Sequence, residues 1–295
     1  MDAFWIILTG ILVVASSSIL GCFLVLRKMT MVGDAISHAV LPGIVMAYLI
    51  SGERNSLFMV LGAALIGLLT TFLIEFFHKK GNVQEDASIG ITFTSFFALG
   101  VILISYFAEN VDLDQDCVLY GEIAYVSLDP LLIGNIEYGP KAVWLLSFVF
   151  LLVLAVIVPG YRSLSLTTFD PNYAQAIGIS VTVWHYVLMS LVSLTTVASF
   201  ESVGAILVVA FLTVPASTAY LLTEKLKNMI LLSILFGVLA SISGYYLADL
   251  TNGSIAGAMA TASGILFALV FTGKRIYYKM IRRQLSVINT EQHIR

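Results

Sequence analysis

Asp34 and His38 stand four residues apart in "VGDAISHAVLPG", Val32 to Gly43, inside an otherwise apolar run from Met29 to Ile50. On a helix that spacing puts both side chains on one face, with Ser37 beside them. A charged aspartate at membrane depth costs about 2.5–3.5 kcal/mol on an insertion scale, so it must face protein, water or an ion. Imidazole with carboxylate suits first-row divalent metals, whereas all-oxygen sets suit calcium and magnesium. Pro42 has no N–H, and the carbonyl four residues before it belongs to His38. The spacing therefore predicts a kink at the histidine and a carbonyl oxygen freed beside the imidazole. Gly33 and Gly43 bracket the segment and permit close approach. Discontinuous helices near the midplane build ion sites in many transporters. The plainer reading is a polar pair that only hydrogen-bonds between helices.

Such a pair needs spans to hold it, and the composition supplies them. The chain is 59% hydrophobic and 11% charged. Soluble domains carry roughly 25% charged residues. A spanning helix needs about 20 mostly apolar residues. Candidate spans are Phe4–Leu26, Met29–Ile50, Leu57–Phe77, Ala87–Phe107, Val143–Val158, Val181–Ser199, Val203–Leu222, Met229–Asp249 and Ile255–Thr272. The predicted fold is thus all-α and polytopic, with nine transmembrane helices, or eight if one side of "FESV" is a partial span. The first run lacks the basic flank of a cleaved signal peptide and reads as a retained span. Residues 1–284 read as a transmembrane domain and 285–295 as a polar, frayed cytoplasmic tail.

Orientation follows from the basic residues. With the N-terminus outside and the C-terminus cytoplasmic, thirteen of the fifteen Lys and Arg residues fall inside, leaving only Arg54 and Lys141 outside. The outer face is then acidic. Depletion of basic residues explains much of that. An entrance that concentrates cations by its field is the functional reading. Its candidates are Asp112, Asp114 and Asp116 of "DLDQD", with Glu201 and Asp249 at outer span ends. The "DLDQD" cluster lacks the glycine and distal glutamate of an EF-hand loop. Glu109 to Lys141 forms a long outer loop that reads as an interfacial or re-entrant piece. Tyr161 to Ser180 forms a long inner loop, with a helix start at Asp170-Pro171.

Other polar residues have plainer readings. His185 beside Trp184 reads as part of an interfacial aromatic belt, and His78 as a helix terminus with Glu75 snorkelling to the same surface. Pro215 reads as a break near the inner end of the seventh span. The short amphipathic piece after it, with Ala219, Tyr220, Glu224, Lys225 and Lys227, reads as a solvated turn or as a docking helix for a cytoplasmic partner. Cys22 and Cys117 make no disulfide framework. The chain contains no G-x-x-x-x-G-K-[ST], H-E-x-x-H or G-x-S-x-G pattern, so it carries no P-loop, and nothing supports intramembrane metalloprotease or serine protease chemistry. Nothing points to nucleic acid.

Five stretches in order resemble the permease subunits of ATP-binding cassette importers for manganese, zinc and iron. They are "GDAISHAVLPG", "EDASIGITFTSFFALG", "FDPNYAQAIG", "VGAILVVAFLTVPASTAYLL" and "GYYLADLTNGSIAGA". Together they cover nearly the whole chain. "DLDQDCVLYGEIAYVSLD" is most similar to the manganese branch of Gram-positive bacteria. The resemblance implies a multi-pass bacterial cell-membrane subunit. Two permeases, identical or homologous, would form the pathway, two cytoplasmic ATPases would drive it, and an extracytoplasmic metal-binding lipoprotein would deliver the ion. It implies that Asp34 and His38 contact the metal and that the segment after Pro215 is the ATPase-coupling helix. It implies no permanent cofactor, with Mn2+ as cargo and zinc or iron as alternatives. A self-contained secondary cation transporter, with Asp34 and His38 relaying protons, is the competing class. An intramembrane metal-dependent enzyme is a third, for which no nucleophile or oxyanion site can be assembled.

Overall fold

The computed structural model describes residues 2–51, 56–107, 123–133 and 136–293. In chain order the elements are α1 (Asp2–Arg27), α2 (Met31–Ala39), α3 (Leu41–Ser51), α4 (Ser56–Lys79) and α5 (Glu85–Phe107). A 3-10 turn (Ile123–Leu128) and a hairpin of β1 (Pro130–Ile133) and β2 (Ile136–Pro140) follow. Then come α6 (Lys141–Phe169), α7 (Pro171–Ala176), α8 (Val181–Val203), α9 (Ala205–Leu222), α10 (Leu226–Thr251) and α11 (Ile255–His293). Among the described residues, nine helical stretches are long and apolar enough to cross a membrane, with α2 and α3 together making one of them.

The centre of the bundle is α1. Its residues from Val13 to Leu24 are buried on every side. A helix apolar all round belongs in an interior. It packs against α6, α8, α9 and α10, while α2 packs on α4, α5, α8 and α9. Small residues set these distances. A Cβ on Gly43 would lie 2.5 Å from the Gly62 carbonyl oxygen, so α3 and α4 cross with backbones almost touching. A Cβ on Gly33 would strike the Leu212 side chain, and one on Gly21 the Leu212 carbonyl, so α1, α2 and α9 meet closely around Leu212. Close approach of this kind is how helices associate where lipid removes the hydrophobic drive.

The "FESV" segment separates two full spans, giving nine rather than eight among the described residues. Gly204 sits between α8 and α9 at φ +77°, a conformation that side chains disfavour. Contacts with α1 then place the start of α8 and the end of α9 at the same end of the bundle: His185 lines a cavity with Arg27 at the end of α1, and Ala216 in the last turns of α9 lies against Gly21. That end also holds the basic termini of α1 and α4. It is called the basic end below.

Three expectations are corrected. The inner loop from Tyr161 is helical as far as Phe169, because α6 passes through Pro159 without ending. Arg27 explains part of that extension: its Nε and a terminal guanidinium nitrogen donate to Thr168 and Thr167, each at 3.0 Å. Polar residues there are bonded to another helix rather than dissolved in a loop. Second, Pro215 does not break the seventh span, since α9 runs from Ala205 to Leu222 with the proline buried inside it. One missing amide does not end a helix whose flanks are packed. Third, the segment before α6 adds a short antiparallel hairpin to described residues that are otherwise helical or in turns, pairing Leu132 with Glu137 and Ile133 with Ile136. It rests on α1 at Gly139, whose φ of +86° and lack of a Cβ leave room for the Trp5 ring. The helix start at Asp170-Pro171 is as expected, with the Asp170 carboxylate accepting from the Tyr173 amide at 2.9 Å. Beyond residue 284 the backbone of α11 continues as helix to His293.

Candidate metal site

The second span is broken at Val40, between His38 and Pro42. The Val40 amide still donates to Ile36, and the amides of Gly43 and Ile44 both return to the Val40 carbonyl. No amide is available four residues after His38, because that residue is Pro42. The break lies near the middle of the 21-residue span Met31–Ser51. Asp34 lies closer to the basic end, in the first turn of α2, and His38 in its last turn.

The predicted pair does come together. His38 Nε2 stands 3.7 Å from Asp34 Oδ1, with the two side chains 37% and 40% exposed. The buried side of α2, including Val32, Ala35, Ile36 and Ala39, packs into the bundle. Asp34 and His38 therefore occupy the one open stripe of this helix. Two aromatic rings of α5 flank the imidazole: Phe93 at 5.9 Å between ring centres and Phe97 at 6.2 Å, edge to face. A carboxylate and an imidazole at that exposure do not suit lipid, so the stripe calls for water, an ion or another protein surface. Ser37 is not part of the pair. It is buried, and its hydroxyl donates to the Gly33 carbonyl at 2.9 Å.

The remaining sequence-predicted residues scatter. Asp112, Asp114, Asp116 and Cys117 lie outside the described residues, and the Glu201 side chain is likewise not described. Asp249 is exposed near the end of α10. In the proposed coupling segment, Pro215 and Ala219 are buried, whereas Tyr220, Glu224, Lys225 and Lys227 are exposed. A cavity of about 530 Å³ lies between Tyr220–Glu224 and Gly273, Lys274 and Tyr277 of α11. The same end of the bundle presents α7, where Asn172, Tyr173 and Gln175 are exposed.

One cluster was not anticipated. Glu75 does not snorkel and His185 is not a belt residue. The two side chains are 9% and 13% exposed and face each other across α4 and α8, with 3.6 Å between Oε2 and Nε2. The other Glu75 oxygen pairs with Lys79. The only local signal was a glutamate one turn inside a helix end. Its partner lies far along the chain, beyond the reach of periodicity.

Residues 3–274 match the ABC 3 transport family. The chain belongs to that family. It is a membrane-spanning permease subunit of the ATP-binding cassette class. It is 50% identical over 267 residues to the manganese transport system membrane protein MntD of Bacillus subtilis (strain 168), covering 90% of each chain. It is 41% identical over 266 residues to the zinc transport system membrane protein TroD of Treponema pallidum (strain Nichols), covering 90% of this chain and 72% of that one. Among solved structures, PsaBC from Streptococcus pneumoniae in complex with Fab aligns with a TM-score of 0.75 at 34% identity over 90% of both chains. An inward-facing putative metal-chelate type ABC transporter shares the fold, with a TM-score of 0.65 at 17% identity over 92% of this chain and 85% of that one. The pair of α2 is thus carried by an ABC 3 permease.

Proposed function

We propose that this ABC 3 permease conducts a divalent metal ion, Mn2+ first among candidates, from the acidic to the basic end, and that Asp34 and His38 touch the ion as it crosses. The N-terminus then lies outside and the basic end in the cytoplasm. The observation that carries the reading is the Asp34–His38 pair itself, held at 3.7 Å on the open stripe of a broken helix. Two donors about 2.1 Å from one ion stand roughly 3.0–3.4 Å apart. A small rotamer change closes the difference. The manganese relative at 50% identity supports Mn2+, and the zinc relative at 41% keeps Zn2+ as the second cargo.

The geometry also suits passage rather than storage. Among the described residues no three His, Cys, Asp or Glu side chains gather closely enough to hold an ion. Two protein donors leave most of the coordination shell to water or to a facing surface. A second permease packed against the Asp34–His38 stripe would supply that surface and keep the charges from lipid. ATP hydrolysis falls to cytoplasmic ATPase subunits, docked at the basic end on the exposed residues Tyr220, Glu224, Lys225 and Lys227. An extracytoplasmic binding protein would deliver the ion at the acidic end, where Asp112, Asp114, Asp116, Glu201 and Asp249 raise local cation concentration. A secondary transporter would work without the ATPase. Metal uptake into vesicles carrying the chain alone, against vesicles carrying the complex with ATP, separates the two: uptake only in the complex is expected, and ATP-independent uptake by the chain alone overturns the assignment.

A further inference from the structure

We propose that the cavity at the basic end between α1, α4, α5 and α8 is a second divalent-metal site, held by Glu75 and His185 and distinct from the Asp34–His38 pair. The cavity has a volume of about 230 Å³, and Arg27, Thr71, Glu75, Lys79, Glu85 and His185 line it. Glu75 Oε2 and His185 Nε2 are both buried and make no hydrogen bond of ordinary geometry, although the Tyr186 hydroxyl lies near the Glu75 carboxylate. The Glu75 side chain is 9% exposed.

Their mutual geometry does not satisfy them. At 3.6 Å they are too far apart for a hydrogen bond, whichever proton state the imidazole holds. A neutral ring that turns its lone pair on the carboxylate is repelled. A buried carboxylate oxygen without a partner is costly. Two donors about 2.1 Å from one ion, at a tetrahedral angle, stand roughly 3.4 Å apart. An ion between Glu75 and His185 therefore needs almost no rearrangement and satisfies both. A third orphan, Glu85 Oε1, is buried and lies on the same cavity wall, positioned to receive a water of the ion's shell.

The surrounding charges set the strength. Lys79 pairs with the other Glu75 oxygen, but its side chain is 60% exposed and free to swing into water. Arg27 is tied to Thr167 and Thr168. Two carboxylates face two cations, so binding is weak and reversible. The imidazole biases it toward first-row metals over Mg2+. Met29 and Val32 line the same cavity, just before Asp34 in the chain. A metal here would couple α4 to α8 directly beneath the start of the helix that carries the transport pair. The choice of Mn2+ as probe rests on the proposed function; the binding test itself needs no transport.

The test measures Mn2+ binding by the paramagnetic signal of the free ion, on the full chain in phosphatidylcholine nanodiscs. An Asp34→Ala, His38→Ala background removes the transport pair. Saturable binding should persist there, weaken at least tenfold with His185→Gln or Glu75→Gln, and resist a hundredfold excess of Mg2+. Zn2+ should compete. No Mn2+ binding in that background, or binding within twofold of it after His185→Gln, overturns the site. His185→Gln leaves the Glu75–Lys79 pair in place, so it decides the matter if Glu75→Gln does not fold. A failure of the Asp34–His38 reading would show instead as intact uptake by the background variant, which is a separate measurement.

Discussion

Gly43 and Gly62 face each other across α3 and α4, and a Cβ on either would lie 2.5 Å from the other's carbonyl oxygen. This contact fixes the half-span that follows the break at Val40. Gly62→Ala should force the helices apart at a cost of about 1–3 kcal/mol, typical of an overpacked core. A lowered thermal midpoint in detergent, with the α2 residues otherwise unchanged, is the expected readout. Gly264 has nothing within 4 Å of where a Cβ would sit, so Gly264→Ala serves as the matched control and should be neutral.

Arg27 joins the end of α1 to the end of α6 through Thr167 and Thr168. Hydrogen bonds from a charged donor contribute about 1.5–3 kcal/mol. Arg27→Ala should lower stability within that range, and Thr167→Val with Thr168→Val should reproduce most of the loss. A double-mutant cycle on the thermal midpoint checks it: additive losses would mean that the three residues do not act together.

Much of this architecture was legible in the chain, for physical reasons. Length and hydropathy mark spans directly, and the i, i+4 relation of Asp34 and His38 is local, so both survive in the structure. Pro42 marked the break, which falls two residues after His38. What was not legible depends on packing at a distance. The end of α6 was placed too early because its last turns are polar, yet Arg27 from α1 is what gives those polar residues partners. Pro215 looked like a helix end because the loss of one amide is local, while the packing that tolerates it is not. Glu75 and His185 each had a bland explanation alone; only the crossing of α4 and α8 makes them a pair.

Docking of the ATPase has two surfaces to choose between at the basic end. Cysteines at Glu224, Lys225 and Lys227 should crosslink to the ATPase subunit. A cysteine at Ala219 should not, since that side chain is buried. Crosslinks confined to Asn172, Tyr173 and Gln175 of α7 would move the coupling contact there.

Charge at the acidic end should speed arrival without choosing the metal. Fields of exposed charges are screened over about 8 Å at physiological salt. Neutralising Asp112, Asp114 and Asp116 together should lower uptake more at low than at high ionic strength. Initial uptake rates at two salt concentrations decide it, and an equal loss at both would assign those residues to direct contact with ion or binding protein.

The most direct test concerns Asp34 and His38. Radiolabelled Mn2+ uptake into vesicles carrying the full complex would be measured for Asp34→Ala, His38→Ala and the double variant, with ATP hydrolysis followed in parallel. Both single variants should reduce uptake to background while the subunits remain assembled in the membrane. Pro42→Ala should be milder, because it restores a backbone bond and removes no donor. Near-normal uptake by the assembled double variant would contradict the account and leave the pair as polar residues that only pack.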